Sequence, residues 1–220
     1  MNKMKKTNKT NKKYLIIESL IIISILIFFI WTIVSLVQKD YEIVFDRLFG
    51  LILGIVALFE YRRLKMSIPV LFISVIALLM HHMKLYGNVY FGIPFDRIQH
   101  FIGVFAIALI MYHYIEVTYN KKYFNKIAVG LVVFFIAFGI GASIEIVEFL
   151  GYSYLGEGEG VLFYGTGDFG EYNNIGWDLI ANSLGALLAI LIMSFISHRR
   201  REVIPKHDVE ILRLLSLKKE

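Results

Sequence analysis

Apolar residues along this chain fall in long unbroken runs, not in the one-sided or alternating patterns of a soluble protein. The first run, residues 20–37, holds 18 residues without a charge, and residues 14–19 extend it. At 1.5 Å rise per residue, such a run covers nearly all of a hydrocarbon layer about 30 Å thick. It predicts a spanning helix over 14–37. The segment "VSLVQKD" that follows has no small-x-small cleavage site, so the run reads as an uncleaved first span and not as a signal peptide. Glu18 then lies near the cytoplasmic interface.

Five further spans are expected at about 44–61, 66–83, 96–116, 127–150 and 177–196. The second and fourth have charge-free cores, 48–59 and 101–112, of only 12 residues, about 18 Å of helix. They span by carrying polar ends into the membrane region, shielded there by neighbouring helices. The fold class predicted is therefore all-α, a polytopic six-helix transmembrane bundle. Composition agrees: 57% of residues are hydrophobic, 19% are charged and the mean hydropathy is +0.65. With no cysteine, the chain offers no disulfide, thiolate metal site or cysteine nucleophile.

Charge distribution orients the bundle. With the N-terminus inside, 19 of the 23 basic residues fall in the stretch 1–13, the loops near 62–65 and 121–126, and the tail 197–220. Only Lys39, Arg47, Lys84 and Arg97 lie elsewhere. The positive-inside rule thus gives an N-in, C-in bundle, with a single membrane domain over 14–196. The same division among short segments leaves no continuous basic stripe for nucleic acid. The tail segment "DVEILRLLSLKK" has Val209, Leu212 and Leu215 at helical spacing, which suits a surface helix on the inner leaflet or a frayed terminus.

This orientation brings three polar motifs to the outer face. "FDRIQHF" opens the fourth span with Asp96 at the rim and His100 one turn deeper on the same face. "GASIEIVEFLG" closes the fifth with Glu145 and Glu148, and "GWDLIANS" opens the sixth with Asp178 and Asn182. Aligned by depth, Asp96, Glu148 and Asp178 form an outer layer. His100, Glu145 and Asn182 form another roughly 5–6 Å below it. Asp46 and Arg47 of the second span can join the outer layer, and His81 and His82 close the third on the same side.

Each residue also has a plain structural role open to it. Asp96 and Asp178 sit where acids cap helix N-termini. His100 can be a hydrogen-bonded packing residue. Glu145 and Glu148, disfavoured at a helix C-terminus, can be ion-paired with Arg47 or Arg97. Gly50 and Gly54, Gly139, Gly141 and Ser143, and Gly185, Ala186 and Ala189 predict close helix packing. Between the last two spans lies a connection, 151–176, with eight glycines. It reads as a lid over the polar layers or as a mobile external loop, and its Asp168, Glu171, Asn173 and Asn174 are candidate oxygen ligands that do not fit EF-hand spacing.

Taken together, "FDRIQHFIG", "ASIEIVEF" and "GTGD…GWDLIANSLGALLA" resemble the YjdF-type family of bacterial inner-membrane proteins, which is related to the VanZ-like family. The resemblance covers about 45–196 and implies that Asp96, His100, Glu145, Glu148, Asp168 and Asp178 are signature residues. The stretch from "GTGD" to "WD" is longer here than in the family's usual form, with Glu171 or an Asn where a second Asp is expected. VanZ-like proteins are linked to glycopeptide resistance. The YjdF-type family has no established activity, so the resemblance speaks to location more than to chemistry.

Three activities stay open. The first is an envelope enzyme or binder acting on a lipid-linked head group, with Asp96, His100, Glu145, Glu148, Asp178 and Asn182 as its site. One divalent metal is then held by His100, Glu145, Glu148 and Asp178, with Asp168 as a further ligand from the loop. Against it, the chain has no nucleophile motif and no recognised metal signature. The second is a proton- or cation-coupled transporter, although the acids gather at one end. The third is a non-catalytic protein whose polar cluster fixes the bundle or binds an envelope partner.

Overall fold

The computed structural model describes residues 2–63, 67–81, 83, 85, 88–118, 125–156 and 171–202. Six helices and one short hairpin make up the architecture of these residues: α1 (Asn2–Gln38), α2 (Tyr41–Arg63), α3 (Ile68–His81), β1 (Val89–Tyr90), β2 (Ile93–Pro94), α4 (Phe95–Thr118), α5 (Lys126–Leu155) and α6 (Glu171–Glu202). Within them, four stretches are long and apolar enough to cross a bilayer: Tyr14–Gln38, Phe95–Glu116, Lys126–Leu155 and Asn173–Ile196. The protein is an all-α polytopic membrane protein. Helix α2 carries Asp46, Arg47 and Glu60 within its 23 residues, and α3 is a shorter apolar helix of 14.

The first two helices form a tight antiparallel pair. Lys39 adopts a left-handed conformation (φ 59°), and Lys39 and Asp40 donate backbone N–H bonds to Leu36 and Ser35 carbonyls at 3.2 and 2.9 Å. That pattern closes α1 and turns the chain at once into α2. Far from this turn, the Tyr61 hydroxyl of α2 donates to Glu18 Oε2 of α1 at 2.7 Å. At the turn end, Arg47 donates to the Trp31 carbonyl at 2.9 Å and to Ser35 Oγ, and its guanidinium lies 5.7 Å from the Trp31 ring centre.

Helix α4 is the hub. It packs on α6, α5 and α3, while α1 packs on α2 and α3. Small side chains at the hub let the helices approach closely: Ala108, Ala137, Ala186 and Ala189 have no exposed surface. Gly185 lies directly against the Phe101 carbonyl of α4, where a Cβ has no room. Large apolar side chains instead cover the outside, as with Ile127, Leu131 and Phe135 on α5 and Leu184, Leu191 and Phe195 on α6. A bundle with small residues inside and large apolar ones outside is built for lipid, where dispersion packing and not water exclusion holds helices together.

A two-residue hairpin leads into α4. Val89 pairs with Pro94 and Tyr90 with Ile93, joined by Phe91 and Gly92, both at positive φ (53° and 77°). Two such residues make the mirror-image turn that suits twisted strands, and glycine takes the second position without strain. Phe91 at its tip is fully exposed.

Helices α5 and α6 extend further into the 151–176 connection than the hydropathy pattern predicts. Helix α5 runs on through Gly151 to Leu155 and ends at Gly156, whose φ of 96° and N–H bond to the Tyr152 carbonyl stop it. Helix α6 already begins at Glu171. The glycines at 151 and 176 read as loop signals, yet an interior glycine costs only about 1 kcal/mol, which packing offsets. Both ends of the expected 151–176 connection are therefore helical. Its middle, with Asp168, and His82 and the tail segment "DVEILRLLSLKK" lie outside the described residues.

Candidate functional site

Asp96 and His100 stand four residues apart on α4, one above the other, because the helix repeats every 3.6 residues. Asp96 remains in the first turn, just after the hairpin. Glu145 and Glu148 share a face of α5, and Asp178 and Asn182 a face of α6. The α4–α5–α6 packing turns all three faces toward one another at the same end of the bundle. The helices carry their polar residues there at the start of α4, the late part of α5 and the early part of α6.

His100 is the centre of the arrangement. Its Nδ1 lies 3.1 Å from Glu145 Oε1, while Nε2 lies 3.7 Å from Asp96 Oδ1 and 4.0 Å from Glu148 Oε1. Asn182 Nδ2 donates to Glu145 Oε1 at 3.5 Å. Ligand atoms of Asp96, His100 and Asp178 all lie within 4.8 Å of one another, and so do those of His100, Glu145 and Glu148. Two triads therefore share one imidazole.

Burial is graded across the site. Asp178 and Asn182 have no exposed surface, Glu145 keeps 3% and His100 8%, while the side chains of Glu148 and Asp96 keep 16% and 26%. The group is closed toward α6 and open along Asp96 and Glu148. Both oxygens of Asp178, Oε2 of Glu145 and Oδ1 of Asn182 are buried without a hydrogen-bond partner among the described residues. A buried polar atom left in this way costs about 1–3 kcal/mol, and more if charged, so each of these acids needs a cation, a proton or a donor.

The helix lengths correct two structural readings. Asp178 stands two turns inside α6 and cannot cap its first N–H groups. Glu145 and Glu148 stand ten and seven residues before the end of α5, beyond the last turn where the helix dipole disfavours acids. Asp178 is as fully buried as Asn182, a helical turn further along α6. Arg47 directs its hydrogen bonds to α1, so it is not the counter-ion of the α5 acids. The Arg97 guanidinium lies 5.2 Å from the Trp177 ring centre, next to Asp178 in the chain.

A second polar arm abuts the first. Asp46, 2% exposed, lies 3.6 Å from His81 Nε2, and His81 Nδ1 is hydrogen-bonded to Gln99, the neighbour of His100. Gln99 was not among the candidates from the sequence, where nothing but its place beside His100 marks it. Gly141, one of the small residues expected to allow close helix packing, does so here. A Cβ there would stand 2.7 Å from Asn182 Nδ2 and 3.0 Å from Val104, so the glycine makes room for the asparagine that holds Glu145.

Neither a curated protein nor a solved structure shows significant similarity to the chain. A family model does, over residues 17–200, which takes in every helix that supplies the site. The chain belongs to this family, described as predicted membrane protein (DUF2238).

Proposed function

We propose that this protein lies in a bacterial plasma membrane in N-in, C-in orientation and acts at the outer leaflet on the charged head group of a lipid-linked envelope molecule, assisted by one divalent cation. The observation that carries this reading is the graded burial around His100. A closed floor of Asp178, Asn182 and Glu145 meets an open side at Glu148 and Asp96. Such a gradient gives a ligand from the membrane surface a way in and gives a cation a sheltered seat.

Charge supplies the argument for the cation. Four carboxyl groups, of Asp96, Glu145, Glu148 and Asp178, crowd one imidazole, and the Arg97 guanidinium alone cannot balance them. A site this acidic repels a phosphate or carboxylate head group unless a cation bridges the two. A divalent cation held by His100 and these carboxylates would offset their charge and supply Lewis-acid polarisation of a phosphoryl or carbonyl oxygen. Asp96 and Glu148, the partly exposed members, face the side from which the head group arrives. The likeness to the YjdF-type family supports an envelope setting for this chemistry.

Transport is the second reading, because α4 also buries His113 and Glu116 toward its other end. Between them and His100 the buried residues of α4 are Val104, Ala106, Ala108, Leu109 and Tyr112. That apolar middle favours a site at one face over a relay across the bilayer.

The test uses the full-length protein in proteoliposomes made with bacterial envelope lipids. Mass spectrometry is expected to find one lipid-linked species bound or converted in a manner lost on chelation of divalent ions and cut about 100-fold by His100→Ala. The chain has no native cysteine, so Phe91→Cys reports the orientation, and an impermeant maleimide should label it from outside in intact cells. Labelling only after permeabilisation, or cation flux without any lipid effect, overturns the proposal.

A further inference from the structure

The two ring nitrogens of His100 meet different surroundings. Nδ1 and Glu145 Oε1 are 3.1 Å apart, within hydrogen-bonding reach, and Asn182 donates to the same carboxylate oxygen. Nothing fits between Nδ1 and that oxygen. At Nε2 the carboxylate oxygens stand back, at 3.7 Å for Asp96 and 4.0 Å for Glu148. Those gaps exceed a hydrogen bond, yet they suit ligands spread around one ion. With metal–ligand distances of about 2.0–2.2 Å, two ligand atoms on one ion lie roughly 3–4.4 Å apart.

Acids gathered at a helix end do not by themselves make a metal site. The independent observation here is Asp178. It is wholly buried, both of its oxygens lack a hydrogen-bond partner among the described residues, and a carboxylate oxygen lies within 4.8 Å of the ligand atoms of Asp96 and His100. A side chain so placed is expensive to bury unless something inside the cluster meets it. No hydrogen bond within the cluster does so.

We propose that His100 divides the cluster between two tasks: Nε2, with Asp96, Glu148 and Asp178, binds a divalent transition-metal ion, whereas Glu145 accepts a hydrogen bond from Nδ1–H and orients the ring without touching the ion. This rests on the divalent-cation reading above and sharpens it in two respects. It moves Glu145 from ligand to positioning residue, in the carboxylate–histidine–metal arrangement common at protein metal sites. It also selects the ion, because an imidazole nitrogen among three carboxylates suits Mn²⁺ or Zn²⁺, whereas Mg²⁺ and Ca²⁺ prefer oxygen alone.

Asn182 then has a defined place. By donating to Glu145 it holds the carboxylate against Nδ1, and Gly141 leaves the space for it to do so. The chain of support runs from Gly141 to Asn182 to Glu145 to His100. Only the last of these reaches the ion.

The experiment titrates Mn²⁺, Zn²⁺, Mg²⁺ and Ca²⁺ into the detergent-purified full chain, comparing wild type with Glu145→Gln, Glu148→Gln and Asp178→Asn. Helical circular dichroism and a single size-exclusion peak serve as the criterion of folding. Glu145→Gln is expected to keep one ion per chain with affinity reduced about 10- to 100-fold, the effect typical of an outer-shell partner. Asp178→Asn and Glu148→Gln are expected to lose stoichiometric binding. Complete loss in folded Glu145→Gln, or undiminished binding in Asp178→Asn, overturns the division of tasks while leaving a cation site in place. Wild type that binds Mg²⁺ or Ca²⁺ but neither Mn²⁺ nor Zn²⁺ overturns the choice of ion, and wild type that binds none of the four overturns both proposals. X-ray absorption on the Zn²⁺-loaded wild type tests the His100 ligand without any variant: one imidazole nitrogen among oxygen neighbours is expected, and an all-oxygen shell contradicts it.

Discussion

Asp178 shows at the scale of one residue why a binding site and a stable core want different things. Its carboxylate has no exposed surface and no hydrogen-bond partner for either oxygen among the described residues, which lowers stability in the absence of a ligand. The isosteric Asp178→Asn removes the charge and adds a donor. Without added metal this variant should be more stable than wild type by about 1–3 kcal/mol, as a rise in thermal midpoint in detergent. Saturating Zn²⁺ should stabilise wild type, by about 2.7 kcal/mol at a hundredfold excess over Kd, and so raise its midpoint, while leaving the variant unmoved. Equal midpoints and equal responses would show that Asp178 is a satisfied core residue. In the sequence its acidity and depth are legible, because "GWDLIAN" opens an apolar run. Its isolation from hydrogen-bond donors is not, since that depends on α4 and α5 and on α6 starting seven residues earlier. The pairing of Asp46 with His81 and of His81 with Gln99 is hidden for the same reason: three helices contribute one residue each.

At the scale of elements, α4 and α6 set the geometry of the site through the smallest residue between them. A Cβ at Gly185 would fall on the Phe101 carbonyl and 3.1 Å from the Phe105 nitrogen, both backbone atoms that no rotamer change can move. Phe101 follows His100 directly. Gly185→Ala must therefore push the helices apart at the level of the site, at a cost of about 3 kcal/mol, the upper end of ordinary overpacking. Thermal unfolding should record the loss, and metal affinity should fall with it. By contrast, a Cβ at Gly139 meets nothing within 4 Å, so Gly139→Ala should be neutral or slightly stabilising. The small-residue pattern in the sequence marks both positions alike. Which of them touches another backbone follows from the rotation of each helix, and a hydropathy run that is apolar all round carries little information about rotation.

At the scale of the whole molecule, hydropathy and charge carry most of the account. Long apolar runs predict the all-α membrane class, and the chain is built that way, with large apolar side chains outward and small ones between helices. Glycines mislead at the helix ends, where α5 and α6 continue through Gly151 and Gly176. The antiparallel course then collects the start of α2, the end of α3, the start of α4, the late part of α5 and the early part of α6 at one pole. Polar residues that are scattered over more than 130 positions of sequence, from Asp46 to Asn182, become neighbours there. This pole is proposed to hold one divalent ion. Elemental analysis of the purified wild-type chain, after incubation with Zn²⁺ and removal of the excess by gel filtration, tests it most directly. About one ion per chain is expected, and less than a tenth of an ion per chain in a correctly folded preparation would contradict it.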